Sequence, residues 1–463
     1  MRRLELGRAL CAGRSVVLRG GGVVGPDWEG PADVVVDGER VVAVAPEGRA
    51  ETGQAIDVGG LLVLPGGVDP HVHFDEPGRS DWEGWSTGSA AAAAGGVTTV
   101  VDMPIDSDPP TLTPEAVLAK VAAARASSVV DFALWGGLVP ANARPGHLDL
   151  LLQAGVVGLK AFFCDSGWSD FPPVDDRALA VGLEATKRFG LILAAHCEEG
   201  SLLTEGPATS ANRPSKAEVA AVARLGRATV AVGGRAHVVH CSSADAAEEA
   251  RRWSGLTVET CPHYLLLDEE EVSQLGPLAL SAPPVRDRAN QDRLWHLLET
   301  GGIDVLASDH SPAPPELKAA PVPFAGIDGV QTGLSALLDA GRVPPSLIAR
   351  LRASAASLLR LAGKGAIAPG YDADLVLVDP EATWMVTHDS QRSRHRASPL
   401  VGRRLRGRVV ATIRRGVVIA LDGEVASGGG QWLTPARPGP RRLPRPLRDP
   451  GSTTRPGGAR LPP

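Results

Sequence analysis

The chain has 463 residues, of which 43% are hydrophobic and 22% charged, and a formal net charge of -6. That length accommodates one large α/β barrel plus a smaller accessory domain, and the composition lies far from that of chains that stay disordered. The mild acidity offers nucleic acid no basic footprint, and no run approaches the roughly 20 apolar residues a bilayer span requires; a small-molecule substrate is therefore expected, with no nucleic-acid and no membrane partner.

Taken in chain order, residues 1–14 open with Met1-Arg2-Arg3 and continue with Glu5, Arg8 and Arg14 instead of an apolar stretch, so they read as an unstructured extension and not as an export signal. Residues 15–65 carry short β runs, Val16-Val17-Leu18, Val34-Val35-Val36, Val41-Val42-Ala43-Val44 and Leu61-Leu62-Val63-Leu64, broken by Gly, Asp and Pro. Residues 366–427 hold matching runs at 374–378 and 407–413, and the two sets are expected to form one small β-sandwich from the N- and C-terminal segments. Between them, over 66–365, apolar strand runs alternate with Ala-, Leu-, Glu- and Arg-rich helical patterns, the signature of parallel βα units. Eight strands are expected, at 67–74, 97–103, 132–136, 158–163, 192–196, 237–240, 257–260 and 305–309, with helices such as 114–125, 176–189, 217–225 and 244–253 outside them. The predicted fold class is α/β: a (β/α)8 TIM-type barrel with the small β-sandwich beside it. Residues 428–463 turn to Pro, Gly and Arg and are expected to be a disordered basic tail.

The five cysteines, Cys11, Cys164, Cys197, Cys241 and Cys261, are odd in number, scattered, and in no CxxC pair. This argues against a disulfide framework or a structural zinc knot and for a reducing, cytoplasmic setting.

The chemistry gathers at strand ends. His71 and His73 close the first strand, and residues at i and i+2 of a strand share a face, so both imidazoles project into the barrel mouth. Alone, such a pair is as easily chance as a metal site. Lys160, His196, His240 and Asp309, however, each end or follow another apolar run, at the carboxyl rim where catalytic groups of barrels sit. An ammonium beside a dication is repelled, whereas a neutral Lys160 amine takes up CO2 to give a carbamate able to bridge two cations; the competing reading is an ion pair between Lys160 and Asp309 or Asp102. His237 faces away from the mouth if His240 faces in, His310 is expected behind the site, and His263 reads equally as packing or as support for a ligand or contact with substrate.

These residues sit in motifs that resemble the amidohydrolase superfamily, and within it the allantoinase, dihydroorotase and hydantoinase group of cyclic amidases. The matching segments are Pro65-Gly66-Gly67-Val68-Asp69-Pro70-His71-Val72-His73, Glu76-Pro77-Gly78-Arg79, Gly95-Gly96-Val97-Thr98-Thr99, Asp102-Met103-Pro104, Gly158-Leu159-Lys160-Ala161-Phe162, Val258-Glu259-Thr260-Cys261-Pro262-His263-Tyr264, Ala282-Pro283-Pro284-Val285-Arg286 and Ser308-Asp309-His310-Ser311-Pro312. The likeness runs from Ser15 to about Gly423, and Trp135-Gly136-Gly137-Leu138-Val139-Pro140 with Asp170-Phe171-Pro172 looks most like the allantoinase branch. The resemblance implies two divalent ions, zinc first and manganese, cobalt or iron as substitutes. His71 and His73 would hold the more buried ion, His196 and His240 the more exposed one, Lys160 would bridge as N6-carboxylysine formed with CO2, and Asp309 would act as ligand and catalytic base. It further implies Asp75, Asp106 and Ser281 as substrate contacts, hydrolysis of (S)-allantoin to allantoate in purine and ureide catabolism, and a homotetramer. Related ring openings, of hydantoins, dihydropyrimidines or dihydroorotate, are the alternative, and a catalytically inactive scaffold the third reading. Dihydroorotases place an arginine two residues after the second histidine to clamp a carboxylate, and this chain has Asp75 there, an acceptor suited to the N–H donors of allantoin. The allantoinase pattern has asparagine there and at the position of Asp106.

Overall fold

The computed structural model describes residues 15–50 and 53–436. Five strands come first: β1 (Val16–Val24), β2 (Glu29–Asp37), β3 (Arg40–Pro46), β4 (Gln54–Asp57) and β5 (Leu62–Pro65). The barrel strands follow: β6 (Gly67–Val72), β7 (Val97–Asp102), β8 (Asp131–Leu134), the two-residue β9 (Gly136–Gly137), β10 (Gly158–Phe162), β11 (Ile192–His196), β12 (Ala236–Val238), β13 (Leu256–Thr260) and β14 (Val305–Leu306). The chain then returns through β15 (Leu375–Met385), β16 (Arg404–Arg414), β17 (Val417–Leu421) and β18 (Glu424–Val425). All eight expected barrel strands are present within a few residues of their predicted positions.

The barrel strands are parallel and buried along nearly their whole length, mostly apolar or small, with buried polar exceptions that include Asp69, His71, Asp102, Lys160, His196, His237 and Glu259. Two arcs, β6-β7-β8 and β9 through β14, close into a ring. One seam is the parallel bridge between Val72 and His310 with the His73 N–H donating to the His310 carbonyl, and the other is Val157 N–H donating to Leu134. Inward side chains, among them Val68, Val101, Ala133, Ile192, Ala194, Val239 and Val305, fill the interior with Ala355, Ala356 and Leu359 from beyond the last strand. The helices are stopped and started by local chemistry. Thr113 and Asp175 cap Pro114–Ser127 and Asp176–Phe189 by accepting backbone N–H groups, and Gly190 ends the latter in the left-handed region.

The terminal strands form one nine-stranded sheet in the order β18-β17-β16-β15-β5-β1-β2-β3, with β4 beside β1. It is folded around its own core of Val16, Leu18, Val34, Val36, Leu375, Leu377, Ala411 and Ile413, drawn from both ends of the chain. This is the small β-sandwich, and β5 pairing with β15 joins its two halves. At the junction with the barrel the buried Lys364 ammonium lies 2.6 Å from Asp131 and 2.9 Å from Asp372 and from Asp374.

One expectation is corrected. The segment 428–436 is not a free tail. The Phe132 N–H donates to Gln431, the Leu433 N–H donates to Phe132, the Gln431 N–H donates to the Asp131 carboxylate, and the Ala436 N–H donates to Arg360. The backbone at the start of β8 needs partners, and this segment, with Trp432 and Leu433 as its apolar contacts, supplies them. The expectations for 1–14 and for the rest of the tail lie outside the described residues. Cys164, Cys197, Cys241 and Cys261 are buried free thiols. Among the described residues no helix is long and apolar enough to cross a membrane.

Candidate active site

The six residues singled out at the strand ends meet at one rim of the barrel. His71, at the end of β6, lies with its ring 5.4 Å from that of His73 and 5.1 Å from that of His240, and His240 lies 4.6 Å from His196, the last residue of β11. An Asp309 carboxylate oxygen stands 3.3 Å from His71 Nε2 and 3.6 Å from His73 Nε2. All are buried. The backbone there is strained to achieve this. Eight non-glycine residues among those described have φ in the left-handed region, and Asp75, Asp106, His240 and Asp309 are four of them. Such conformations cost of order 1–3 kcal/mol each and persist where surrounding structure enforces them.

The protonation pattern of three of the four histidines suits cation binding. Burial pushes the imidazolium forms of His71, His196 and His240 down, leaving neutral rings with a lone pair to offer. The His196 Nε2–H is taken by Glu198 at 2.7 Å, which leaves His196 Nδ1 as the lone-pair nitrogen, and it lies 3.0 Å from His240 Nε2. Two such nitrogens aimed at one point fit a shared cation. The His71 Nδ1, likewise, is 2.5 Å from a Glu259 oxygen, so its Nε2 faces Asp309 with a lone pair. For His73 burial opposes charge, but Asp106 at 2.7 Å from Nδ1 and Asp309 near Nε2 outweigh it and hold the ring up at about 10. Asp309 is buried yet held below the usual carboxylate range, chiefly by His71 and His73. These donors, imidazole nitrogens and one carboxylate, are those that hold zinc and similar divalent ions, and the rings of His71, His73 and His196 are each backed by an outer carboxylate in the way ligating histidines commonly are.

Lys160, on β10, is buried, and loss of solvation brings its ammonium down to about 8. Its Nζ sits 4.8 Å from the Phe162 ring centroid. Among the described residues no ion pair joins it to Asp309 or to Asp102, which pairs instead with Lys120 at 2.5 Å. The competing ion-pair reading of Lys160 therefore falls.

The three expected substrate contacts differ. Asp75 is buried with neither carboxylate oxygen partnered, and burial, reinforced by the negative charge of Asp106, holds its proton well above the usual carboxylate range. Asp106 is engaged: one oxygen accepts the Trp168 Nε1–H at 2.5 Å and the other is the oxygen near His73. The Ser281 hydroxyl donates to the Pro283 carbonyl at 2.9 Å, and the residue lines a cavity of about 570 Å³ with Pro207, Leu280 and Val285.

The supporting carboxylates were missed by sequence reasoning. Glu198 is fully buried, bound to His196 and by Arg213, and these partners take it down to about 2 against the pull of burial. Glu259 serves His71, His237 and the His240 backbone. The available signals were Glu198 two residues after a strand-end histidine and Glu259 inside a matched motif. His310, as expected, lies behind the site, its Nδ1 accepting the Gly329 N–H. His263 is buried against Tyr264 with its Nε2 unpartnered, and burial takes it down to about 4.

The pattern of the Amidohydrolase family matches residues 62–419, which include the whole barrel and every residue of this site. This chain belongs to the amidohydrolase family. Among curated relatives it is 41% identical to the allantoinase of Rubrobacter xylanophilus, over 91% of this chain and 98% of that protein. It is also 41% identical to the allantoinase of Solibacter usitatus (90% and 96% covered) and 39% identical to that of Deinococcus radiodurans (91% and 98%). Among solved structures, the L-hydantoinase (dihydropyrimidinase) of Arthrobacter aurescens superposes with a TM-score of 0.86 at 31% identity, covering 91% of this chain and all of that one. The dihydropyrimidinase of Brevibacillus agri gives 0.82 at 29%, covering 92% and 100%.

Proposed function

We propose that this amidohydrolase opens the hydantoin ring of (S)-allantoin to give allantoate, using two divalent ions held at the barrel mouth. The observation that carries the choice of substrate is the likeness to allantoinases at 39–41% identity over nine-tenths of the chain. The site agrees: Asp75 supplies no positive charge for the carboxylate of dihydroorotate, and its buried, unpartnered carboxyl would be satisfied by the amide and ureido groups of allantoin.

His71, His73 and Asp309 would hold one ion, His196 and His240 the other, with Lys160 between them as N6-carboxylysine. The buried lysine is suited to that change: its neutral amine attacks the carbon of CO2 and gives up a proton, converting a cation into an anion on the same side chain. Bound ions, zinc or in its place manganese, cobalt or iron, would supply an activated water and draw electrons from the ring carbonyl. Asp309, ionised by its histidine neighbours, takes the proton from the attacking water. The same carboxyl then returns that proton to the ring nitrogen as the C–N bond breaks, which leaves a carboxylate and an open ureide. Burial excludes bulk water from this exchange.

Ring opening of hydantoins or dihydropyrimidines is the second reading, favoured by the likeness to solved hydantoinase and dihydropyrimidinase structures. A homotetramer and a cytoplasmic location accompany the proposal on the resemblance and the cysteine pattern. Purified protein loaded with zinc or manganese in bicarbonate and offered allantoin, hydantoin, dihydrouracil and dihydroorotate decides between them. Allantoate formation far faster than the other ring openings is expected; preference for another ring would move the protein to that sister activity, and inactivity on all four with metal bound would revive the scaffold reading. Light scattering on the same sample gives the subunit number.

A further inference from the structure

We propose that Glu259 is a positioning residue that ties the two halves of the mouth together, setting the His71 ring and the His240 backbone with a single carboxylate oxygen; the inference rests on the two-ion reading above. Glu259 lies on β13, fully buried, and its carboxylate meets three groups. Oε1 is 2.5 Å from His71 Nδ1 and accepts the His240 backbone N–H at 3.0 Å, while Oε2 is 2.9 Å from His237 Nε2. A carboxylate accepts and does not donate, so its neighbours must bring the protons. His71 is thereby fixed as the Nδ1–H tautomer with its Nε2 lone pair turned toward Asp309. His237 is fixed as the Nε2–H tautomer, and its Nδ1 accepts from the Thr257 hydroxyl at 2.8 Å.

The third contact acts on geometry. His240 sits at φ 37°, where a side chain is strained, and its N–H bond to Glu259 holds the peptide that brings Nε2 to 3.0 Å from His196 Nδ1. His71 belongs to one proposed ion and His240 to the other. A change at one oxygen is therefore felt at both.

Glu259→Gln separates positioning from mere structural support. The amide oxygen can go on accepting from His71 and His240, and its NH2 can donate to His237 if that ring exchanges tautomer and donates Nδ1–H to Thr257. The network stays bonded and loses only its charge, which lowers the donor strength of the His71 ring; Glu259→Ala, by contrast, would orphan three buried donors. Zinc affinity is to be measured by chelator competition on parent and variant, with ion count per chain and thermal midpoint of the metal-free forms. Expected are two ions in the parent and, in the variant, a fall of about 10- to 100-fold at both binding steps, with little change in the metal-free midpoint. Cobalt-loaded variant should also show a shifted visible spectrum. A variant with parent affinity and a lowered midpoint, or one in which a single step weakens, would overturn the inference alone; a parent that binds no ions would overturn the two-ion reading and this inference with it.

Discussion

Two clusters of buried charge sit in different parts of the barrel, and they are built on opposite terms. At the junction with the β-sandwich, Asp131, Asp372 and Asp374 surround the Lys364 ammonium, and Arg414 and Arg415 lie 3.7 and 3.4 Å from Asp131. The cations there are the chain's own. At the mouth, one charged histidine, His73, lies between Asp106 and Asp309, the other three histidines are neutral, Asp75 has no partner, and four residues take strained backbone conformations. A junction that balances its charge internally serves stability. A mouth left short of cations and of donors is arranged to receive them, the ions from solution and the N–H groups from substrate.

Substitutions should separate the two regions. The largest effect on turnover is expected from Asp309→Asn, which removes ligand and base together while asparagine tolerates the left-handed backbone at φ 48°. The kcat for allantoin should drop by about 10³-fold or more with an unchanged far-ultraviolet circular dichroism spectrum, and appreciable residual turnover would remove Asp309 from the proposed chemistry. At the junction, Lys364→Met leaves three buried carboxylates without their shared ammonium. Urea unfolding should show a loss of about 3–5 kcal/mol with activity per folded molecule intact.

Smaller effects sharpen the contrast. Asp75→Asn replaces an unpartnered buried carboxyl by an amide of the same shape. The metal-free thermal midpoint should rise by about 1 °C per kcal/mol gained, with KM for allantoin shifted more than kcat; a fall in midpoint would mean that the carboxyl is better satisfied than its surroundings indicate. The smallest is a pH effect on reconstitution. Carbamate forms from the neutral amine, so with a Lys160 ammonium at about 8 the rate of activation by metal at fixed dissolved CO2 should climb as pH rises. The rise from pH 7 to 8 should be roughly fivefold, levelling above pH 9, whereas an unshifted lysine would still gain roughly tenfold per pH unit there.

The barrel was legible because both-face burial writes each strand as an apolar run, and the site was legible because its ligands stand at the carboxyl ends of those runs. Glu198 and Glu259 left no such mark: a carboxylate that supports a histidine 188 residues away in sequence, as Glu259 supports His71, has no spacing to reveal it. Trp432 and Leu433 were lost for a different reason. Their Pro-, Gly- and Arg-rich surroundings set the composition of the whole segment, while the need they answer, unpaired backbone at the start of β8, exists only in the folded barrel.

The most direct test is a crystal structure of the zinc-loaded protein with anomalous data collected at the zinc edge. Two peaks per chain are expected, one among His71, His73 and Asp309 and one between His196 and His240, with density for a carbamate on Lys160 between them. A mouth that stays free of anomalous density in protein saturated with zinc would contradict the account.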